Sequence, residues 1–190
     1  MQDADPVRRQ WSRAEYYKMA ELGWFNGQRA ELVGGEVVVV NPQNHPHAYT
    51  VDKVADVLRE RLGAGHWVRM QLPLQCGTVS EPEPDVAVVT GTRDDYTDHP
   101  TSALLVVEVG DTSLQYDRTQ KMSLYARCGI ADYWIINLVD RAVEVHRDPM
   151  EDSAQPFGFR YREVVRLAAT ESIAPLAKPE AGIAVADMLP

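Results

Sequence analysis

Apolar and polar positions along the chain follow a helical period in three stretches. The first runs from Ser12 to Leu22 behind a Ser-x-x-Glu capping box, and the second from His47 to Leu62 before a glycine stop. The third runs from Tyr116 to Cys128, with Gly129 at the position of a C-terminal cap. Because apolar residues three and four apart share one side of a helix, these stretches predict three helices.

Short apolar runs outside these helices predict the strands. The most apolar run is Leu104 to Val109, and Asp85 to Val89 is a second buried run that follows a proline-containing loop. A Gly-Gly turn and a Val-Asp-Arg turn each predict a hairpin. The predicted strands are Ala30–Val33, Glu36–Val40, Trp67–Leu74, Asp85–Val89, Leu104–Val109, Tyr133–Leu138, Ala142–Arg147 and, at an edge, Phe159–Leu167.

This order of elements predicts a mixed α/β fold with hairpins at both ends of a central strand, helix, strand unit. We also expect a mobile loop at Asp148–Gly158 and a short terminal helix at Ile183–Met188. A chain of 190 residues without internal repeats suits one domain, whose core buries roughly 70% of the surface of the unfolded chain. We therefore expect a single domain over residues 1–190, with residues 1–10 as a flexible N-terminal segment.

The charge of the chain bears on its partners. Nineteen Lys and Arg residues against 28 Asp and Glu residues leave a formal net charge of −9. This charge opposes non-specific attraction to a polyanion such as nucleic acid. It does not exclude nucleic acid, because a divalent cation would neutralise the carboxylates that bind it.

The two cysteines and the apolar runs bear on location. Cys76 and Cys128 are far apart and form no C-x-x-C pattern, which predicts reduced thiols, and Cys128 is expected to pack rather than react. The first residues show no basic region followed by an apolar one, and no apolar run approaches the roughly 20 residues that span a bilayer. We expect a cytoplasmic protein that does not enter a membrane.

Glu108 is the residue that points most directly to chemistry. Its predicted strand is otherwise Leu and Val, and a carboxylate there is costly unless it is paired or bound to a metal. Asp85 begins another apolar strand directly after Pro84, and two carboxylates at neighbouring strand ends can together hold a hard cation such as Mg²⁺. The alternative is that the strand of Glu108 has one solvated face, or that Glu108 pairs with a structural arginine.

A lysine on the third predicted helix could face these carboxylates. Lys121, Tyr125 and Cys128 recur at i, i+4 and i+7, which places them on one side of the helix. The alternative for Lys121 is a solvated surface lysine paired with Asp117, four residues earlier. Tyr125 either supports Lys121 or packs in the core.

Further polar residues could complete a metal site. Glu31 begins a hairpin strand and Glu36 follows the turn, and either is a third carboxylate or an ordinary exposed strand residue. His45 and His47 have the H-x-H spacing of some transition-metal sites, although Pro46 lies between them. His47 alternatively lines a nuclease site, contacts a phosphate or caps the second helix.

Six segments, taken in order, resemble the Uma-type family of restriction endonucleases. Each segment is weak alone, but their order and spacing are specific. The match runs from about Trp11 to Arg147, and we expect it to continue to the C-terminus. The family belongs to the PD-(D/E)XK nuclease superfamily, so the resemblance implies a restriction endonuclease-like fold with a central mixed β-sheet and flanking helices. The segments are Glu31–Glu36 (ELVGGE), Pro46-His47, Pro84–Val89 (PDVAVV), Leu105–Val109 (LVVEV), Asp117–Lys121 (DRTQK) and Leu124–Ile136 (LYARCGIADYWII).

The resemblance assigns roles residue by residue. It makes Asp85 the acid of the "PD" element and Glu108 the second acidic ligand. The superfamily lysine usually lies two residues after that acid, where this chain has Gly110, and the lysine of the family corresponds to Lys121. Asp85, Glu108 and Glu31 would bind one or two Mg²⁺ or Mn²⁺ ions, and Lys121 would orient the attacking water or stabilise the phosphorane charge.

The implied function is Mg²⁺-dependent hydrolysis of phosphodiester bonds in nucleic acid, with DNA as the expected substrate and a homodimer as the expected assembly. His47 and Tyr125 are candidate substrate contacts, and Asp111 adds negative charge where the family commonly has serine. The first alternative is a nuclease-fold binding or regulatory module that has lost catalysis, which Gly110 and the net charge favour. The second is a small-molecule metalloenzyme that uses His45 and His47.

Overall fold

The computed structural model describes residues 8–190, and its elements follow the predicted order. The helices are α1 (Arg13–Glu21), α2 (His45–Leu62) and α3, which comprises Leu114–Tyr116, a π-helical turn at Asp117–Lys121 and Met122–Arg127. The strands are β1 (Arg29–Val33), β2 (Glu36–Val40), β3 (His66–Met70), β4 (Val86–Thr90), β5 (Leu105–Gly110), β6 (Asp132–Asn137), β7 (Ala142–Glu151), β8 (Phe159–Ala168), β9 (Ser172–Ile173) and β10 (Ile183–Ala184). Short 3₁₀ turns lie at Arg93–Asp95 and Val185–Met188.

The helix starts have local causes. Ser12 and Glu15 form the predicted capping box of α1, since each side chain bonds to the backbone N–H of the other. Helix α2 begins at His45, two residues earlier than predicted, because Asn44 Oδ1 accepts the His47 N–H at 3.0 Å and caps the helix. The cap fixes the direction in which the first turn of α2 presents its side chains.

Six strands form the central sheet in the order β3-β4-β5-β6-β7-β8. Strands β5 and β6 are parallel, and the other neighbours in this sheet are antiparallel. A parallel pair needs a crossover connection, and α3 provides it. The sheet is therefore mixed, as predicted.

The β1–β2 hairpin is a separate two-stranded sheet. Its turn residues Gly34 and Gly35 both have positive φ, 61° and 81°, which is the requirement of a tight turn that matches strand twist. A single bridge between Leu32 and Glu81 joins the hairpin to the segment before β4. This contact brings Glu31 beside the central sheet.

Apolar cores lie on both faces of the central sheet. On one face α2 packs against Val107 and Val109 of β5, and on the other α3 packs against Val106. Because successive strand residues point to opposite faces, Glu108 shares the α3 side with Val106. The alternation therefore directs the buried carboxylate toward the helix that carries Lys121.

Three predicted elements differ most from the structure. Strand β3 ends at Met70 rather than Leu74, since Gln71 has a φ of 51° and the chain turns there. The predicted mobile loop Asp148–Gly158 is shorter than expected, because β7 continues to Glu151 and pairs with β8, which leaves residues 152–158 as the loop. The predicted terminal helix Ile183–Met188 begins instead as strand β10, which pairs with β9, and only then forms a 3₁₀ turn.

The cysteines are paired, which corrects the prediction of two reduced thiols. Cys76 and Cys128 form a disulfide, with their Cα atoms 5.6 Å apart across a sequence separation of 52 residues. The contact arises because the segment after β3 folds back against the C-terminal end of α3. The cysteine pattern therefore no longer supports the expected cytoplasmic location.

The N-terminal residues are described from Arg8 onward. Arg8, Arg9 and Gln10 are exposed, and the Gln10 side chain donates to Gly34 O at 3.2 Å. The rest of the predicted flexible segment, residues 1–7, lies outside the described residues. Between residues 8 and 190, no helix has the length and apolar character needed to cross a membrane.

Candidate active site

A cleft of about 340 Å³ opens between the β1–β2 hairpin, the N-terminal end of α2, the end of β5 and the start of α3. Its lining includes four residues that the sequence predicts as catalytic, together with His47: Glu31, Asp85, Glu108 and Lys121. These residues come from widely separated parts of the chain. The fold, rather than any local motif, brings them together.

Asp85 and Glu108 hold each other in place. The Asp85 N–H donates to Glu108 Oε2 at 3.2 Å, and the Val109 N–H donates to Asp85 Oδ2 at 2.9 Å. Asp85 directly precedes β4, and Glu108 and Val109 lie on the neighbouring strand β5. The pairing of these two strands therefore sets the position of both carboxylates.

Other polar groups surround the Asp85 carboxylate. Gln71 Nε2 and Gln43 Nε2 approach Oδ1 at 3.2 and 3.5 Å, and His47 Nε2 lies 3.2 Å from Oδ2. Burial alone raises the pKa of Asp85, but the bonds from His47, the Val109 N–H and Gln71 outweigh burial and lower it. Asp85 is therefore ionised in the cleft.

The two histidines of the H-x-H pattern have different partners. His47 lies in the cleft beside Asp85, whereas the exposed ring of His45 stacks on Tyr49 with ring centroids 6.2 Å apart. Burial alone lowers the pKa of His47, but Asp85 outweighs burial and raises it. His47 thus belongs to the carboxylate site, and the structure offers no support for a His45–His47 metal pair.

Lys121 is buried among carboxylates. Its Nζ lies 2.5 Å from Glu31 Oε2 and 3.3 Å from Glu108 Oε1, and only 5% of the residue is exposed. Burial alone lowers the pKa of Lys121, but attraction to Glu108 and Glu31 outweighs burial and raises it. The lysine is therefore charged, and it is not the solvated partner of Asp117 that the alternative interpretation required.

The superfamily position of the lysine is a closely packed glycine in this chain. A Cβ added to Gly110 would lie 2.8 Å from Leu114 Cδ1 and 3.1 Å from Ile135 Cγ2. The cation comes instead from α3, whose π-helical turn at Asp117–Lys121 ends at the lysine. Such turns interrupt helices mostly at functional sites.

Tyr125 lies behind Glu108. Its hydroxyl donates to Glu108 Oε1 at 2.6 Å, the oxygen that Lys121 also contacts, and the residue is fully buried. Tyr125 is not among the residues that line the cleft. The side chain therefore supports the carboxylate from the interior.

The protonation of Glu108 reflects these neighbours. The pKa of Glu108 is raised to about 8, because burial and the carboxylates of Asp85, Asp117 and Glu31 raise it and together outweigh the attraction to Lys121, which lowers it. Glu108 and Asp85 thus have pKa values shifted in opposite directions. Perturbed carboxylates in one cleft are typical of a functional site.

Three acidic residues of the cleft, Glu83, Asp111 and Asp117, were not predicted as site residues. Asp117 is buried, its Oδ2 accepts a bond from Ser113 Oγ at 2.7 Å, and burial raises its pKa to about 6. Asp111 Oδ2 accepts a bond from Asn44 Nδ2 at 2.7 Å, which joins the end of β5 to the cap of α2. Asp117 opens the DRTQK segment, which is the available signal, but the sequence assigns it a part only in the alternative interpretation, as the partner of a solvated Lys121.

The donor atoms of the cleft suit a hard cation. Within residues 8–190, no three His, Cys, Asp or Glu side chains form a group arranged to hold a metal ion. Glu31 is engaged by Lys121, which leaves Asp85 and Glu108 as the adjacent pair. This pair fits, because Mg²⁺ is commonly held by one or two carboxylates together with waters and substrate phosphates. Glu36 is exposed near Arg8 and takes no part.

The chain is similar to a known protein family. The sequence profile of the Uma2 family, described as "Putative restriction endonuclease", matches residues 13–186. The chain belongs to this family. The match confirms the family resemblance and its expected continuation beyond Arg147.

The fold of the Uma2 chain has a counterpart among solved structures. A crystal structure described as "a putative nuclease belonging to DUF820", from Anabaena variabilis ATCC 29413, gives a TM-score of 0.72. The alignment covers 96% of this chain and 97% of that chain at 13% sequence identity. At this identity the likeness concerns the fold, and it confirms the predicted nuclease-like architecture. No curated protein matches the sequence.

Proposed function

We propose that the protein is an endonuclease that hydrolyses phosphodiester bonds of DNA with the help of Mg²⁺ or Mn²⁺. The observation that carries the proposal is the meeting of Asp85, Glu108 and a charged, buried Lys121 in one cleft of a Uma2 family chain. Two carboxylates and a cation at one point are the groups that metal-assisted phosphodiester hydrolysis needs.

The charge of the cleft supports dependence on a divalent cation. A phosphodiester would meet a strongly negative field there unless a cation reversed its sign. The lining includes six carboxylates, and its Lys and Arg side chains number two. The acids are Glu31, Glu83, Asp85, Glu108, Asp111 and Asp117, and the bases are Arg29 and Lys121.

Each residue has a role in this proposal. Asp85 and Glu108 would hold the ion, which when bound polarises the scissile phosphate and lowers the pKa of a coordinated water. Lys121 keeps a positive charge 3.3 Å from Glu108 and would stabilise the negative charge that develops on the phosphate. Glu31 holds Lys121 in position, and His47 orients Asp85.

Cleavage of supercoiled plasmid in Mg²⁺ and in Mn²⁺ tests the proposal. We expect Asp85→Asn and Glu108→Gln to lower the rate on the order of a hundredfold. The control is Glu36→Gln, since Glu36 is exposed away from the cleft. Single-stranded DNA and RNA serve as competing substrates. Equal cleavage by all variants, or none by the wild type, would reject the proposal.

A nuclease-fold binding module without catalysis is the second candidate. It is favoured by Gly110 at the usual lysine position and by the engagement of Lys121 with both Glu31 and Glu108. Fluorescence anisotropy with a labelled duplex separates the two candidates. Binding that is not followed by cleavage, and that survives Asp85→Asn, would replace the first candidate with the second.

Cleavage of both strands of a duplex takes two sites, so the proposal includes the homodimer expected from the sequence. Sedimentation of the full chain measures its mass directly. A monomer at the protein concentration of the cleavage reaction would restrict the proposal to nicking of single strands.

A further inference from the structure

The Cys76–Cys128 disulfide lies outside the cleft, but the two cysteines flank residues of the cleft in the sequence. Asp85, Glu108 and Lys121 all lie between the two cysteines, so the disulfide closes a covalent loop that contains three of the four predicted catalytic residues. The fourth, Glu31, lies outside this loop and contacts it through Lys121. Opening the disulfide would therefore release the part of the chain on which the site depends.

One end of the disulfide belongs to the helix of the lysine. Cys128 caps the C-terminal end of α3, where its N–H donates to Leu124 O at 2.9 Å. It lies two helical turns beyond Lys121 and less than one turn beyond Tyr125. A covalent bond at Cys128 thus restrains the helix that presents both side chains to Glu108.

The other end belongs to the segment that holds the hairpin. The Cys76 N–H donates to Ser80 O at 3.0 Å, and Ser80 Oγ accepts the Gly34 N–H at 2.8 Å. The next residue, Glu81, donates its N–H to Leu32 O at 2.7 Å. The disulfide therefore connects α3 to the segment that fixes Glu31, the partner of Lys121.

A second cavity gives access to the disulfide. It has a volume of about 280 Å³ and is lined by both cysteines, residues 77–80, Leu124 and Arg127. Cys128 is partly exposed, whereas Cys76 is 7% exposed. The exposed Arg127 lines the same cavity, and a nearby positive charge favours thiolates and attracts anionic thiols.

We propose that the Cys76–Cys128 disulfide is a redox-exchangeable clamp on the cleft, and that Cys128 is the sulfur that exchanges with low-molecular-weight thiols. An accessible disulfide exchanges by attack of an external thiolate, and disulfides of this kind serve as regulatory bonds. The effect on metal binding rests on the proposed function, whereas the exchange itself does not.

The exchange with a dithiol balances in two steps. A thiolate of the dithiol attacks Cys128 Sγ, the disulfide bond breaks, and Cys76 leaves as a thiolate that takes up a proton. The second thiolate of the dithiol attacks the mixed disulfide and releases Cys128. The dithiol leaves as a cyclic disulfide, and two electrons have passed to the cysteines.

Three measurements on the full chain, air-oxidised or reduced with dithiothreitol, test the clamp. Mass spectrometry after alkylation should find no free thiol before reduction and two after it. Hydrogen exchange of the amides of α3 should become at least fivefold faster on reduction, and the Kd for Mn²⁺ should rise at least fivefold. The double variant Cys76→Ser, Cys128→Ser is the control, because dithiothreitol should leave its hydrogen exchange rates and its Kd for Mn²⁺ unchanged.

Single variants assign the exchanging sulfur. With glutathione disulfide as the probe, the Cys128 thiolate of Cys76→Ser should displace one glutathione and retain the other as a mixed disulfide. Cys76 in Cys128→Ser should react at least tenfold more slowly, because it is buried. Equal rates would overturn the assignment to Cys128.

The outcomes separate the clamp from the proposed function. Free thiols in the oxidised protein, or equal hydrogen exchange in both forms, would overturn the clamp whatever the protein cleaves. Absence of Mn²⁺ binding in both forms would reject the metal site of the proposed function, while hydrogen exchange still decides on the clamp. Equal Mn²⁺ affinity in both forms, with binding present, would show that the clamp does not act on the cleft.

Discussion

The Tyr125 hydroxyl is a single group on which the geometry of the cleft depends. It bonds one oxygen of Glu108, and the other oxygen accepts the Asp85 N–H, so the carboxylate is held from both sides. Groups that orient metal-binding side chains in this way commonly change metal affinity by 10- to 100-fold when removed. Tyr125 is therefore a positioning residue in the proposed site.

We expect Tyr125→Phe to weaken Mn²⁺ binding by about tenfold and to lower the free energy of unfolding by about 2 kcal/mol, since a buried carboxylate loses a donor. Tyr161→Phe is the matched control, because its hydroxyl is equally buried and donates to Ile130 O at 2.8 Å. Calorimetric titration and urea unfolding measure both quantities. Equal Mn²⁺ affinity in the two variants would contradict the positioning role.

His146 is a buried group that has no role in the proposed chemistry. Within residues 8–190, neither of its ring nitrogens has a hydrogen-bond partner, and the ring lies between Tyr133 and Tyr161. Burial lowers its pKa to about 4 from the ordinary value of 6.5. Burial of His146 therefore favours the neutral form of its ring.

This burial predicts a pH dependence of stability. The pKa of His146 is lower in the folded state than in the unfolded state. Its contribution to the free energy of unfolding is therefore complete above pH 6.5 and is lost as the pH falls toward 4. The loss amounts to about 3 kcal/mol. His146→Phe should remove this part of the pH dependence, and His45→Phe, at an exposed position, should keep it. Urea unfolding at pH 7, 5.5 and 4 measures the difference, and parallel curves for wild type and His146→Phe would refute the prediction.

The sequence points to the residues that meet in the cleft more clearly than to the residues that hold them in place. Asp85 and Glu108 were detectable because a carboxylate in an apolar strand needs a compensating partner. The sequence left Tyr125 open between supporting Lys121 and packing in the core, and it gave Asp117 no role in the site. Both roles depend on which groups face these residues from β5 and β4. That information is absent from the spacing along a helix.

At the scale of elements, α3 replaces a function that the superfamily places on a strand. Gly110 allows Leu114 and Ile135 to pack against β5, and a side chain at position 110 would have to displace both. In the proposed site the crossover helix supplies the cation. Gly110 on the strand and Lys121 on the helix are thus complementary in the proposed site.

This complementarity predicts that a lysine at position 110 cannot replace Lys121. Lys121→Ala should abolish plasmid cleavage, and adding Gly110→Lys should not restore it, because a side chain at position 110 meets Leu114 and Ile135. Gly110→Lys alone should lower the free energy of unfolding by about 1–3 kcal/mol. Gly182→Lys is the control, since a Cβ there would contact nothing within 4 Å. Recovery of cleavage to within tenfold of wild type in the double variant would show that position 110 is open.

The elements with the clearest apolar periods were predicted well, and those set by long-range contacts were not. Hairpin β1–β2 and helix α1 carry their own turn and cap, so local sequence defines them. Strand β7 extends beyond its predicted end because β8 pairs with it, and β9 and β10 exist only as partners of each other. Pairing of this kind adds residues to a strand without any local apolar signal.

At the scale of the whole molecule, the disulfide constrains the unfolded chain. A loop closed over 52 residues loses conformational entropy when the chain is unfolded, which stabilises the fold by about 4 kcal/mol. The double variant Cys76→Ala, Cys128→Ala should lose this amount, and dithiothreitol should destabilise the wild type but not the variant. Urea midpoints of both proteins, with and without dithiothreitol, measure the effect. A wild-type midpoint that dithiothreitol leaves unchanged would contradict it.

The cleft depends on the crossover between β5 and β6, the single parallel pair of the described sheet. Its crossover brings Lys121 to Glu31, a contact across 90 residues of sequence. A nascent chain that has emerged only to Gly110 carries Glu31, Asp85 and Glu108 but lacks the cation that neutralises them. The carboxylates therefore lack their cationic partner until the crossover helix docks, so the cleft is complete only after α3 has been synthesised.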